Sequence, residues 1–505
     1  MAKLKFKEDD EGFLYGEFPP SFQWSVATSA YQIEGGADQG GRGASIWDHY
    51  SRVGGTADGS NGDVACDSYN RHKEDVALVK QLGVTSYRFS ISWSRVLPTG
   101  RIDNINEEGI TYYNNLIDDL IAANIQPVVT LYHWDLPLTL QNEFGGWLSD
   151  VIIPLFVDYA DLCFQRYGDR VKTWITLNEP RVVASGYENK DMAPGLNKLG
   201  VGGYRSSYVM LKAHARVYHT YVDRYKPTQR GRIGITLNCD WGVPQDDTPL
   251  NKDAATRFMQ WFIGLYAHPI YVGGWPKVIE DNVGEKSRKE GRSESRLPAF
   301  TQAELDDIMG TSDFLGLNSY TSSIVGHKRK QSPGFFTDSD ITTTFDPSWP
   351  PSGSSWLAIY PPGIRKVLSW IKGEYPGYGS VLINENGVSE TDQSGCFNLC
   401  DQFRVNFFKN YTNNVLKAIR YDGVNVEGYT AWSLLDNFEW AHGYKERFGI
   451  HHVDFNTLKR TPKASAMFYK RLVENNGIPS RGVLSRWLDE IEGECGRENQ
   501  ALCGT

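Results

Sequence analysis

The segment Val171-Lys-Thr-Trp-Ile-Thr-Leu-Asn-Glu-Pro180 decides how this chain folds. Its residues alternate and then run on as β-branched and apolar types, the pattern of a strand buried on both faces of a parallel sheet. Asn178-Glu179-Pro180 ends it abruptly, because proline cannot donate to a ladder and biases Glu179 toward extended backbone. A carboxylate is thereby placed at the carboxyl end of a core strand. A second segment, Val381-Leu-Ile-Asn-Glu-Asn-Gly387, does the same with Glu385.

Outward from these two, six more segments read as strands: Phe22–Thr28, Thr85–Trp93, Ile125–His133, Gly231–Leu237, Asp313–Asn318 and Val426–Trp432. With Val171–Leu177 and Ser380–Ile383 they make eight. Helical periodicity lies between them at Glu107–Ala123, Asp150–Tyr167, Tyr204–Tyr225, Pro361–Ile371 and Gln402–Tyr421, with Asp150 in the N-cap position of the second. Strand and helix repeated eight times predict a closed (β/α)8 barrel with long βα loops. An open doubly wound sheet is the competing fold, and it does not explain why polar residues end nearly every strand.

At 505 residues the chain is read as one domain, its core at about residues 15–480 and residues 481–505 a charged, peripheral tail. Pro244–Asp253 and Glu285–Arg296 read as solvated loops. His327–Ser355 has no helical or strand period and is long enough to wall a site. Cys66, Cys163 and Cys239 lie in or beside apolar runs, as buried thiols do. Cys396 with Cys400, and Cys495 with Cys503, are close enough in sequence to pair in an oxidising compartment.

Several function classes are excluded. A net charge of −9 disfavours nucleic acid or an anionic membrane as partner. No apolar run of about 18 residues or more spans a bilayer, and no Cys/His spacing suggests zinc. There is no phosphate-cradling glycine loop and no Gly-x-Ser-x-Gly elbow. The first residues are basic but lack an apolar stretch, so the expected compartment is cytoplasmic, or secreted as a mature form. The sequon Asn410-Tyr-Thr412 falls inside a predicted helix. Oligomeric state is unreadable.

A parallel barrel brings all strand ends to one face. Read in order, that face holds Gln32, Arg88, His133-Trp134, Asn178-Glu179, Asn238, Asn318-Ser319-Tyr320, Glu385, and Trp432 with Asp436-Asn437-Phe-Glu439-Trp440. Two carboxylates among amides and indoles suit cleavage of a glycosidic bond, which needs a proton on the leaving oxygen and negative charge beneath the anomeric carbon. A carboxylate separation of about 5–5.5 Å would imply retention and about 6.5–9.5 Å inversion; sequence leaves this open. Arg88, inside an apolar strand, needs an anionic partner. Glu385 is the nearest candidate, and such a pair would hold that carboxyl ionised.

Tyr31-Gln-Ile-Glu-Gly35, Tyr87-Arg-Phe-Ser-Ile-Ser-Trp93, Tyr132-His-Trp-Asp135, Thr176-Leu-Asn-Glu-Pro180, Asn384-Glu-Asn-Gly387 and Trp432-Ser-Leu-Leu-Asp-Asn-Phe-Glu-Trp440 resemble glycoside hydrolase family 1. The look is nearest to the animal members, the β-glucosidases and lactase-phlorizin hydrolase domains. The resemblance implies a retaining enzyme for small β-glucosides, with β-galactoside or β-fucoside side activities, without cofactor or metal. It assigns Glu179 as acid/base and Glu385 as nucleophile, supported by Arg88 and Tyr320. It places Gln32, His133, Trp134, Asn178, Asn318, Glu439 and Trp440 on the sugar, with Trp432 beneath it. Phe448 closes its O6 side, and Trp356 stacks on the leaving group.

Asn384 stands where the family usually has Thr before its nucleophile. Glu179 argues against the plant-type thioglucosidase subtype, which lacks the acid, and Glu439 would repel a 6-phosphate. A mildly acidic optimum is expected. Alternatives are a transglycosidase, which shares the first half-reaction, and a non-catalytic sugar-binding protein, which the presence of both Glu disfavours.

Overall fold

A computed structural model describes residues 12–391 and 399–503. Eight parallel strands close into a barrel: β1 Gln23–Ala27, β2 Ser86–Ser90, β3 Gln126–Tyr132, β4 Thr173–Asn178, β5 Arg232–Asn238, β6 Leu315–Asn318, β7 Val381–Asn386 and β8 Val426–Trp432. Each pairs with its sequence neighbours, and β8 closes the ring on β1 through Tyr429 opposite Trp24 and Ala431 opposite Val26. The fold is a (β/α)8 barrel.

The interior is layered. Arg88 Nε donates to Thr130 Oγ1 at 3.3 Å, so Thr130 points inward, and Val128, two residues earlier on β3, shares that face. Val128 joins Ile175, Phe314 and Leu382 in a small apolar cluster separate from the main core. Polar side chains lie toward the other end, where Asn384 Nδ2 donates to Thr236 Oγ1 at 2.6 Å. The barrel is thus plugged by hydrocarbon at its foot and polar near its mouth.

Several element boundaries differ from the sequence reading. Strand β2 stops at Ser90, and Trp93–Val96 is a helical turn. The second expected helix is Ile152–Tyr167 with Val151 at its N-cap; Asp150 instead pairs with Arg205 at 2.6 Å and Lys212 at 3.1 Å. The start of the expected loop Glu285–Arg296, through Lys289, belongs to the helix Lys277–Lys289. Far from being solvated, Arg296 is buried on Asp338 at 2.6 Å. Within His327–Ser355, Ile341–Thr344 forms a strand against Ser322–His327, which pairs in turn with Trp241–Pro244. Asn410 lies in the helix Gln402–Arg420, where the Thr412 hydroxyl is buried on Phe408 O at 2.6 Å.

The C-terminal segment is no loose tail. Arg481–Cys503 is a helix with Ile491 and Cys495 fully buried. Cys495 is disulfide-bonded to Cys400, 95 residues away in sequence. Neither short-range pairing holds, because each bonded cysteine comes from a different expected pair; Cys396 and the Cys503 side chain lie outside the described residues. Cys66, Cys163 and Cys239 are buried thiols. A cross-link closing a loop near 100 residues restricts the unfolded chain by an amount worth roughly 4–5 kcal/mol. Cys495→Ala should therefore lower the unfolding free energy by about 4 kcal/mol in urea titrations under non-reducing conditions. An unshifted midpoint would show that the bond does not form.

Candidate active site

Strand β4 carries Glu179 to the barrel mouth, where its N–H still bonds Thr236 O at 2.9 Å. The backbone then turns directly into the helix Pro180–Glu188. To make that turn Glu179 takes φ 47°, ψ 64°, in the left-handed region, rather than the extended backbone that Pro180 favours. Trp134 at φ 80° and Trp440 at φ 49° share this conformation. Such strain costs on the order of 1–3 kcal/mol per residue and gathers at functional sites. At the end of β7, Gly387 is required for a different reason. A Cβ there would lie 1.9 Å from Trp432 O, so only glycine lets this turn pack against β8.

These ends surround a cavity of about 350 Å³. Arg88 Nη1 donates to Glu385 Oε1 at 2.6 Å, and Tyr320 Oη donates to Glu385 Oε2 at 2.6 Å. The other arm of Arg88, Nη2, donates to Asn178 Oδ1 at 2.6 Å. Asn318 Nδ2 bridges Asn178 Oδ1 at 3.1 Å and Glu179 Oε1 at 2.5 Å. One hydrogen-bonded chain therefore runs from Glu385 through Arg88, Asn178 and Asn318 to Glu179. The carboxylates differ in their partners: Glu385 has a cation and a phenol, Glu179 only a neutral amide. Burial, and then the charge of Glu385, push Glu179 up to about 8. Burial and Glu385 also raise Tyr320 well above its usual value, so its phenol remains a donor.

His133 is held by the same chain. The oxygen of Asn178 faces Arg88, so its Nδ2 donates to His133 Nε2 at 3.0 Å. Burial and the Arg88 charge lower the imidazole pKa well below its ordinary value. The ring is thus neutral with its hydrogen on Nδ1, an atom with no protein partner among the described residues. It lies nearly parallel to Trp432 at 5.9 Å and to Trp440 at 5.7 Å. Trp134 packs on Trp440 at 4.5 Å, and its Nε1 donates to Asn178 O at 2.9 Å.

Glu439, Trp356 and Phe448 also line the cavity. Phe448 stands 6.2 Å from Trp356, nearly parallel to it. Burial, then the charges of Glu446, Glu385 and Glu179, raise Glu439 well above the ordinary carboxyl range. Gln32 does not reach the cavity wall. It is fully buried, donating to Asn437 Oδ1 and Phe438 O at 3.0 Å each and to Glu439 Oε2 at 3.3 Å. Arg88 and Asn178 likewise stand behind the wall. Asp436, a strand-end residue in the sequence reading, is turned away and buried on Lys463 at 2.8 Å and Arg447 at 3.2 Å. Sequence reading missed Arg181, Met192, Asp240 and Phe262, all on the cavity wall. Arg181 could have been noticed, since it follows Glu179 by two residues.

Among the described residues no cluster of three or more His, Cys, Asp or Glu could hold a metal ion, and no helix is long and apolar enough to cross a membrane.

A barrel with two dissimilar carboxyls at its mouth, ringed by indoles and amides, has the architecture of the glycoside hydrolases. The model of glycosyl hydrolase family 1 matches residues 14–478, and the chain belongs to that family as a retaining β-glycosidase, a hydrolase of the β-glucosidase class. It is 44% identical to the lactase-like protein of Homo sapiens, over 99% of this chain and 89% of that protein. With the cytosolic beta-glucosidase of Homo sapiens it shares 42%, over 91% of this chain and 99% of the relative. A family 1 beta-glucosidase from the fungus Humicola insolens, solved in complex with glucose, superposes with a TM-score of 0.86 at 41% identity, covering 91% of this chain and 98% of the other.

Proposed function

We propose that this chain releases terminal, non-reducing β-D-glucosyl residues, with β-galactosyl and β-fucosyl residues as secondary substrates, by double displacement. The unequal partnering of the two carboxyls carries this reading. Arg88 and Tyr320 orient both oxygens of Glu385, while Glu179 is buried without a cation and keeps a proton to near pH 8. In the first step a Glu385 oxygen attacks C1 as the bond from C1 to the leaving oxygen breaks. The Glu179 proton passes to that oxygen. In the second step water attacks C1, its proton passes to the Glu179 carboxylate, and Glu385 is released.

The sugar is held by the remaining groups. The free Nδ1–H of His133 donates to a hydroxyl, and Glu439, positioned by Gln32, takes two more. Trp432 supplies an apolar floor, Trp440 and Trp134 a side wall, and Phe448 the O6 end. Asn178 and Asn318 act through the carboxyls they align. Trp356, 37% exposed at the rim, meets the leaving group. Residues 12–503 act as one domain, since both carboxyls and their supports come from one barrel.

Proton NMR of 4-nitrophenyl β-D-glucoside turnover tests this directly. β-Glucose should appear first and mutarotate later to the α form. Initial release of α-glucose, or no turnover, would refute the proposal.

A further inference from the structure

The outer half of the cavity contains a cation that the double-displacement scheme leaves unused. Arg181 sits two residues beyond Glu179, on the first turn of Pro180–Glu188, and lines the cavity. Its Nε donates to Trp261 O at 3.1 Å, and its guanidinium lies over Phe262 at 3.7 Å and Phe336 at 5.2 Å. Those contacts hold the plane in place and leave the edge formed by its two η nitrogens without a hydrogen bond or ion pair to any carboxylate among the described residues. The Phe336 wall is itself fixed. The buried carboxylate of Glu188 accepts from Gly200 N at 2.6 Å, Gly203 N at 3.1 Å and Phe335 N at 2.9 Å.

Asp240 also lines the cavity, and its charge acts on Arg181 through space without a hydrogen bond to it. Its Oδ1 accepts from Tyr320 N and Thr321 N, both at 3.0 Å. Burial lowers Arg181 to about 10, against the opposing charges of Tyr266 and Asp240. Leaving a guanidinium short of counter-charge in low dielectric is costly, and an incoming carboxylate that pairs with its fork relieves the cost. Around it, Met192 and Trp356 offer apolar surface suited to a flat ring.

We propose that Arg181 selects the leaving group, and that the preferred class is an aromatic ring bearing a carboxylate. This rests on the β-glucosidase reading above and adds the substrate's other half. Arg181 touches no reacting atom; its part is binding and specificity.

The matched pair 4-carboxyphenyl β-D-glucoside and its methyl ester tests this at pH 7. The ester has the better intrinsic leaving group, so the informative quantity is the acid-to-ester ratio of kcat/KM in each protein. That ratio should be at least about tenfold higher in the unaltered chain than in Arg181→Gln, the worth of one charge-assisted contact. In Arg181→Lys, which keeps the charge and loses the fork, it should fall between. Equal ratios in the unaltered chain and Arg181→Gln would overturn the proposal. So would a higher kcat/KM for cellobiose than for the acid, which would give this half of the cavity to a second sugar. Should Arg181→Gln not fold, product inhibition of the unaltered chain decides: tighter binding of 4-hydroxybenzoate than of its methyl ester supports the proposal, and equal binding overturns it. Turnover of the ester without selectivity for the acid defeats this inference alone. Turnover of neither glucoside, nor of 4-nitrophenyl β-D-glucoside, defeats the underlying function as well.

Discussion

Glu385→Gln is expected to lower kcat/KM on 4-nitrophenyl β-D-glucoside by on the order of 10⁴-fold or more, as loss of a covalent nucleophile does elsewhere. The substitution keeps the shape of the side chain and one acceptor oxygen, so the barrel should remain folded. It removes the proposed nucleophile and leaves Arg88 Nη1 facing a neutral amide in place of the carboxylate now 2.6 Å away. Initial rates, with urea midpoints to verify folding, measure the effect. Residual activity of more than a few per cent would reassign the nucleophile.

Glu179→Ala should produce a split response. With a poor leaving group such as an alkyl alcohol, loss of the proton donor should slow the first step by about 10²–10⁴-fold. A 2,4-dinitrophenyl leaving group departs without a proton, so that step should be nearly spared. The second step loses its base in either case, and a burst of dinitrophenol followed by slow turnover is the expected trace. The pH profile supplies an independent check. As the proposed acid, Glu179 would donate only when protonated, and it is held near 8 by burial and by Glu385. In the unaltered enzyme kcat/KM should accordingly be sustained below pH 8 and fall about tenfold per unit above it. This carries the working range closer to neutrality than the mildly acidic optimum read from sequence. In Glu179→Ala that basic limb should vanish. Its persistence would mean that another group donates the proton.

The barrel was legible because its strands are continuous apolar runs that end in polar residues, and both Glu179 and Glu385 sit where period and punctuation placed them. Parallel topology then brings every end to one face, so strand order sufficed to collect the indoles and amides. What escaped depends on contacts between distant segments. No local signal joins Cys400 to Cys495, or Arg296 to Asp338. Arg181 was passed over because a helix's first turn carries many exposed charges, and only Phe262 and Phe336, far along the chain, turn it into a wall of the cavity. Glu179 departs from extended backbone for a related reason. Pro180 disfavours the right-handed helical region but cannot choose among the rest, and the choice is made by the need to start a helix at once.

The pairing of β8 with β1 has a consequence for how activity is gained and lost. Residues 23–27 must meet residues 426–432 before the ring shuts, and the bridge from Arg88 to Glu385 spans the same long arc of chain. On the proposed roles, a protein assembled only through β4 would possess the proton donor with nothing to attack the sugar; one lacking β1 and β2 would have the nucleophile with no cation to steady it. Catalysis is for that reason expected to be an all-or-nothing property of the finished cylinder, and turnover during refolding should rise only once its two ends have joined.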